Sequence, residues 1–109
     1  MAKYLIEAAY SHEGLKGLVK DGGSARRAAV DAAAKALGGH IESLYWGFGT
    51  DDVYAIVEAS DNVSAAALAL AIGATGALAH YKTTVLLTAA EVDQAAKKSA
   101  AVGYRPPGH

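Results

Sequence analysis

The sequence predicts an α+β fold of the split βαβ, ferredoxin-like kind: four strands and two helices in the order β-α-β-β-α-β, with a further helix at the C-terminal end. Three observations carry this. Apolar alternation of period two recurs in four short runs, Ala-rich stretches with cap residues separate them in the required places, and Gly49-Thr50-Asp51-Asp52 has the chemistry of a turn between the second and third runs.

Lys3–Tyr10 (KYLIEAAY) alternates as a strand. The polar, glycine-punctuated stretch Ser11–Gly23 reads as a loop, and Ser24 as the N-cap of an Ala-rich helix that runs to Leu37 and stops at Gly38-Gly39. His40–Phe48 is the second strand and Val53–Ser60 the third. Asp61-Asn62 cap a helix over Val63–Ala74, Tyr81–Leu87 is a β-branched fourth strand, and Thr88-Ala-Ala-Glu91 has capping-box spacing for a last helix reaching Ala101. Residues 103–109 contain Pro106-Pro107 and read as an extended tail to a single domain over 1–109.

Composition narrows the function classes. A net charge of −1 gives no electrostatic pull on nucleic acid or anionic lipid. Without cysteine, thiolate metal sites, iron–sulfur clusters and thiol nucleophiles are excluded. No run is long and apolar enough to span a bilayer, and Met1-Ala2-Lys3-Tyr4 lacks the regions of a signal peptide, so a cytoplasmic, soluble protein is expected.

Strand parity sorts the side chains onto two faces. Tyr4, Ile6, Ala8 and Tyr10, then Ile41, Ser43 and Tyr45, then Val53, Ala55, Val57 and Ala59 form nearly charge-free sets suited to lie under helices. The opposite face then carries Glu7, Glu42 and Glu58 interleaved with Leu5, Leu44, Trp46, Tyr54 and Ile56, joined by Lys82, Thr84 and Leu86. Such a face is too apolar for water, and a second copy of the sheet is the simplest cover. Glu58 and Glu7 are the candidate acid–base groups, and Glu42, Leu44, Trp46, Tyr54, Ile56 and Lys82 the candidate ligand contacts. The aromatics suggest base stacking, but three glutamates on the same face repel phosphate, which sets RNA aside.

Other motifs are weaker. His12, His40, His80 and His109 lack metal-ligand spacing, so no metal site or cofactor is assigned and solvated or hydrogen-bonded imidazoles are expected. Gly22 and Gly23, with Arg26 and Arg27, precede a helix and suggest an anion cradle, yet no Gly-Lys-Ser/Thr follows and a tight turn is the plainer reading. Gly73 and Gly76 match no dinucleotide fingerprint.

The chain resembles the GYD-domain proteins, small bacterial proteins of dimeric α/β-barrel type. The resemblance rests on Tyr4-Leu5-Ile6, Glu13 through Leu18, the Lys20–Ser24 loop with Arg26-Arg27, Gly38-Gly39, Gly49 through Asp61, Lys82 through Thr88, and the Tyr104–Gly108 tail. Two positions depart from the pattern: Gly-x-Tyr-Asp stands here as Gly49-Thr50-Asp51-Asp52, without the Tyr, and Glu-Ala-Pro-Asp as Glu58-Ala59-Ser60-Asp61. The resemblance implies the fold and self-assembly, and no particular chemistry. Three readings of the open face follow: a homo-oligomeric protein binding a small organic ligand, a cofactor-independent isomerase or monooxygenase using acid–base carboxylates, and an assembly module whose face only dimerises.

Overall fold

The computed structural model describes residues 1–109. Strands β1 (Ala2–Tyr10), β2 (His40–Trp46), β3 (Val53–Ala59) and β4 (Leu78–Leu86) form one antiparallel sheet in the order β2-β3-β1-β4. Helices α1 (His12–Asp21) and α2 (Gly23–Ala36) join β1 to β2, α3 (Asn62–Gly73) joins β3 to β4, and α4 (Ala89–Ser99) follows β4. The α+β ferredoxin-like order expected from the sequence is the one observed.

The core lies between one sheet face and helices α2 and α3. Tyr4, Ile6, Ala55, Val57 and Ala59 enter it from the strands, and Ala34, Ala65 and Leu68 from the helices. Tyr4 is 1% exposed, and its hydroxyl donates to Asn62 Oδ1 at 2.6 Å, tying β1 to the first turn of α3. Tyr4→Phe keeps the ring and removes only this bond, so it should cost about 1 kcal/mol in a urea titration.

Two expectations fail here. Ser11–Gly23 is not a loop: α1 occupies most of it, with Ser11 as N-cap accepting from the Gly14 amide. Gly14 and Gly17 weaken the helical signal, but Leu15, Leu18 and Val19 supply an apolar pattern at helical spacing. The α2 helix is capped by Gly22, whose φ of +83° makes the elbow between the two helices, and not by Ser24.

The second failure is in β2. Ile41 stands opposite Val57 and Ser43 opposite Ile56, so Glu42 has no partner of its own and the strand carries a bulge. Beyond it the parity inverts. Leu44, opposite Ala55, and Trp46, opposite Val53, point under the helices and join the core. Neither lies on the open face, where the alternation had placed them. Ser43 and Tyr45 stand there instead, and Tyr45 is exposed.

From Leu87 to His109 every residue is exposed. The α4 capping box forms as the sequence indicates, Thr88 and Glu91 each accepting from the other's backbone amide. Yet α4 makes at most slight contact with the other helices and strands of its chain, near its first turn, where Glu91 borders Met1, Ala2 and Lys3. The molecule is 57 Å in its longest dimension, with a radius of gyration of 17.2 Å, against about 13 Å for a compact chain of this length.

Candidate functional site

The open face is polar at both ends and apolar in the middle. Leu5 stands between Ile56 on β3 and Thr84 on β4, forming the central strip. At one end, Glu58 pairs with His40 Nε2 at 2.5 Å, and Lys3 reaches over β3 to hold both oxygens of Glu42 at 2.9 and 3.0 Å. The hydrogen bond to Glu42 raises the Lys3 pKa above its ordinary value.

At the other end stands a cluster built around Asp51. The β2–β3 connection closes with Gly47 N–H bonded to Asp52 C=O at 3.0 Å, and Asp52 is anchored to β1 by its own N–H to Ala8 C=O and by Tyr10 N–H to its carboxylate. This sets Asp51 over the sheet, where it is 3% exposed, the single buried polar or charged residue of the chain. One carboxylate oxygen of Asp51 bonds His80 Nε2 and the other bonds Lys82 Nζ at 3.0 Å. His80 and Lys82 are two apart on β4, so their side chains share a face and converge on one acceptor.

The electrostatics follow from these contacts. The His80 and Lys82 hydrogen bonds hold the Asp51 carboxyl below the usual carboxylate value, and Asp51 raises Lys82 in return. Glu7 lies across from both Tyr54 and Lys82, which places a second carboxylate beside the cluster. An imidazole anchored through Nε2 to a buried carboxylate is oriented, and its Nδ1 has no partner in the chain; this is the arrangement of a positioned proton carrier.

The predicted site residues divide accordingly. Glu7, Glu42, Glu58, Tyr54, Ile56 and Lys82 stand on the open face. Glu7 and Glu58 share that face but do not form a pair: Glu58 lies opposite Lys3 and Glu7 opposite Tyr54, four residues or about 13 Å along the strand. Leu44 and Trp46 are on the other side. The suggested anion cradle at Gly22 and Gly23 is the α1–α2 elbow; Arg27 there is taken up by Asp31 at 3.4 Å, and Gly23 lies against the Trp46 ring. A turn aspartate and strand-end histidines give no pairing signal in sequence; the register of β4 on β1 brings His80 and Lys82 to Asp51, and that of β2 on β3 brings His40 to Glu58. No three His, Asp or Glu side chains are grouped closely enough to hold a metal ion, and no helix is long and apolar enough to cross a membrane.

A four-stranded antiparallel sheet with helices on one face and an acidic, partly apolar cluster on the other defines a ferredoxin-like α+β protein of the kind whose sheet has one bare side. The GYD-domain family model matches residues 4–96, and the chain belongs to that family. Asp51 occupies the place where the family pattern has its tyrosine, so the Asp51–His80–Lys82 cluster departs from that pattern. Among solved structures, an uncharacterized NIPSNAP domain protein from Burkholderia xenovorans is similar, with 14% sequence identity, 83% of this chain and 96% of that one covered, and a TM-score of 0.47. The curated proteins contain no match.

Proposed function

We propose that two or more copies of this chain assemble through their open sheet faces and hold a small organic ligand between them, with His80, Lys82 and Glu7 making its polar contacts. The observation that carries this reading is the Asp51 cluster: a buried carboxylate that fixes an imidazole and an ammonium on a face whose centre is apolar. Self-assembly is supported independently by α4 and the tail. An isolated helix of this length is marginal in water, yet α4 stands clear of its own body, and Val92, Val102 and Tyr104 are exposed along the segment. A second copy is the cover that closes both the strip around Leu5 and Ile56 and this arm.

A second reading, a cofactor-independent enzyme working by proton transfer, is favoured by the His80–Asp51 pairing alone. A panel of small enolisable carbonyl compounds and carboxylates, tested by thermal shift on the wild type and on His80→Gln, tests both. Stabilisation lost in the variant supports binding at this cluster, and conversion of a bound compound supports the enzyme. A panel without effect on either protein leaves the face with assembly only and contradicts the ligand proposal.

A further inference from the structure

Helix α3 lies at the surface without a charge. Asn62–Gly73 (NVSAAALALAIG) contains no Asp, Glu, Lys or Arg, and its apolar residues do not stop at the buried side. Ala65 and Leu68 enter the core, yet Val63, Ala66 and Leu70 lie exposed along the outer side, three and four residues apart, with Val63 78% and Leu70 74% exposed. A helix apolar on every side is ordinarily covered on every side. Beside it, β4 is an edge strand of the sheet. Thr83 and Val85 stand opposite Ile6 and Tyr4, on the helix side, but α3 leaves both exposed. The result is a groove of about 380 Å³ between α3 and β4, lined by Ala65, Ala66, Ala69, Leu70, Thr83 and Val85 among others. None of its eight lining residues is charged.

Helix α4 has the complementary form. At helical spacing Ala89, Val92, Ala96 and Ser99 fall on one side, and Glu91, Asp93, Lys97 and Lys98 away from it. The lengths match: α4 has 11 residues and α3 has 12. The alanines of the groove let a second helix approach closely. Yet α4 does not lie in its own groove. Only Leu87 and Thr88 separate it from β4. Thr88 is extended, with φ −74° and ψ 164°, and the capping box fixes the first turn to it, so α4 leaves the sheet and makes no more than slight contact with α3. Charge sets a direction. With α4 antiparallel to α3, Lys97 and Lys98 in its last turn meet Asp61, the N-cap of α3, whereas the parallel arrangement brings Glu91 there. In the antiparallel alignment Val92 stands near Leu70.

We infer that the groove between α3 and β4 receives helix α4 of a second copy, antiparallel to α3, with Val92 against Leu70 and Val85. The exchange is reciprocal, so one two-fold contact fills two grooves and covers two arms. The inference rests on the self-assembly proposed above and adds the place where the arm docks, on the helix side of the sheet and reached round the β4 edge.

The chain has no cysteine, so single cysteines at exposed positions report contacts without background. Val92→Cys and Leu70→Cys proteins are mixed in urea, refolded together and treated with a short bis-maleimide. Val92→Cys mixed with Val19→Cys, whose exposed position on α1 is outside the groove, is the control. A covalent two-chain product is expected from the first mixture in excess over the control and over either variant alone. Leu70→Glu changes an exposed side chain that the fold of one chain does not need, and should raise the dissociation constant of the assembly at least about tenfold by light scattering. An oligomeric wild type whose variants give no such product, or an assembly not weakened by Leu70→Glu, overturns the docking and leaves self-assembly standing. A product formed as well by Val92→Cys alone sets arm against arm and overturns it too. So does a crosslink confined within single chains of the double variant, which returns the arm to its own groove. A wild type of one chain at every concentration removes self-assembly and docking together.

Discussion

Gly14→Ala is expected to destabilise the protein by about 3 kcal/mol, the upper end for an overpacked site, although alanine is ordinarily the better helix former. A Cβ at Gly14 would stand 1.9 Å from the Ala77 carbonyl oxygen and 2.8 Å from its carbon. No flexible side chain can yield there. The same carbonyl accepts from the Ser11 amide at 2.9 Å, and the Ser11 hydroxyl donates to Gly76 C=O at 2.7 Å, so α1 is held to the α3–β4 connection at this spot. To admit a methyl group the helix must lift and give up those bonds. Gly17, one turn on, is the control, since nothing lies within 4 Å of its Cβ position. Gly17→Ala should therefore stabilise by about 0.5–1 kcal/mol, the ordinary gain from replacing glycine in a helix. Opposite shifts of the urea midpoint check the pair, and a neutral Gly14→Ala would contradict the α1 docking.

Asp51→Asn should have the other large effect, lowering Tm at pH 7 by at least about 5 °C. The amide keeps the shape of the carboxylate but loses its charge, and leaves the Lys82 ammonium without its anion. The pH dependence follows from the directions of the shifts. The folded Asp51 pKa lies below its ordinary value of 3.8. Its contribution is then whole above that value and is lost as pH falls through the lowered one. Lys82 is raised above 10.5, so its contribution is whole below that value and is lost above it, as pH rises through the raised one. Between these limits both are present, and Asp51→Asn should lose less Tm than the wild type when pH is brought from 7 to 3. Equal melting of the two proteins at pH 7 would contradict the cluster.

The strands were legible because burial on one face imposes period two, and β1 and β3 keep it without a break from Tyr4 to Ala8 and from Val53 to Ala59. The bulge at Glu42 defeats the same logic in β2, since one extra residue exchanges the faces of everything after it. Its trace is visible in retrospect: the large apolar residues fall at 41, 44 and 46, and a gap of three followed by a gap of two is not one uninterrupted strand. The α1 helix was obscured by two glycines, of which Gly14 is there for close approach to the Ala77 carbonyl and Gly17 is not. The open-face glutamates were readable from parity, whereas the Asp51 cluster depends on long-range register between β1 and β4, which no local pattern encodes.

In the self-assembly proposed above, the bare sheet face and the C-terminal arm find their cover in another copy of the chain. The most direct measurement is the native mass by light scattering of the full-length protein at low micromolar concentration, alongside Ile56→Glu. At least twice the 11.1 kDa of one chain is expected for the wild type, and a shift toward one chain for the variant. A wild-type mass of one chain, unchanged as concentration rises, would contradict it.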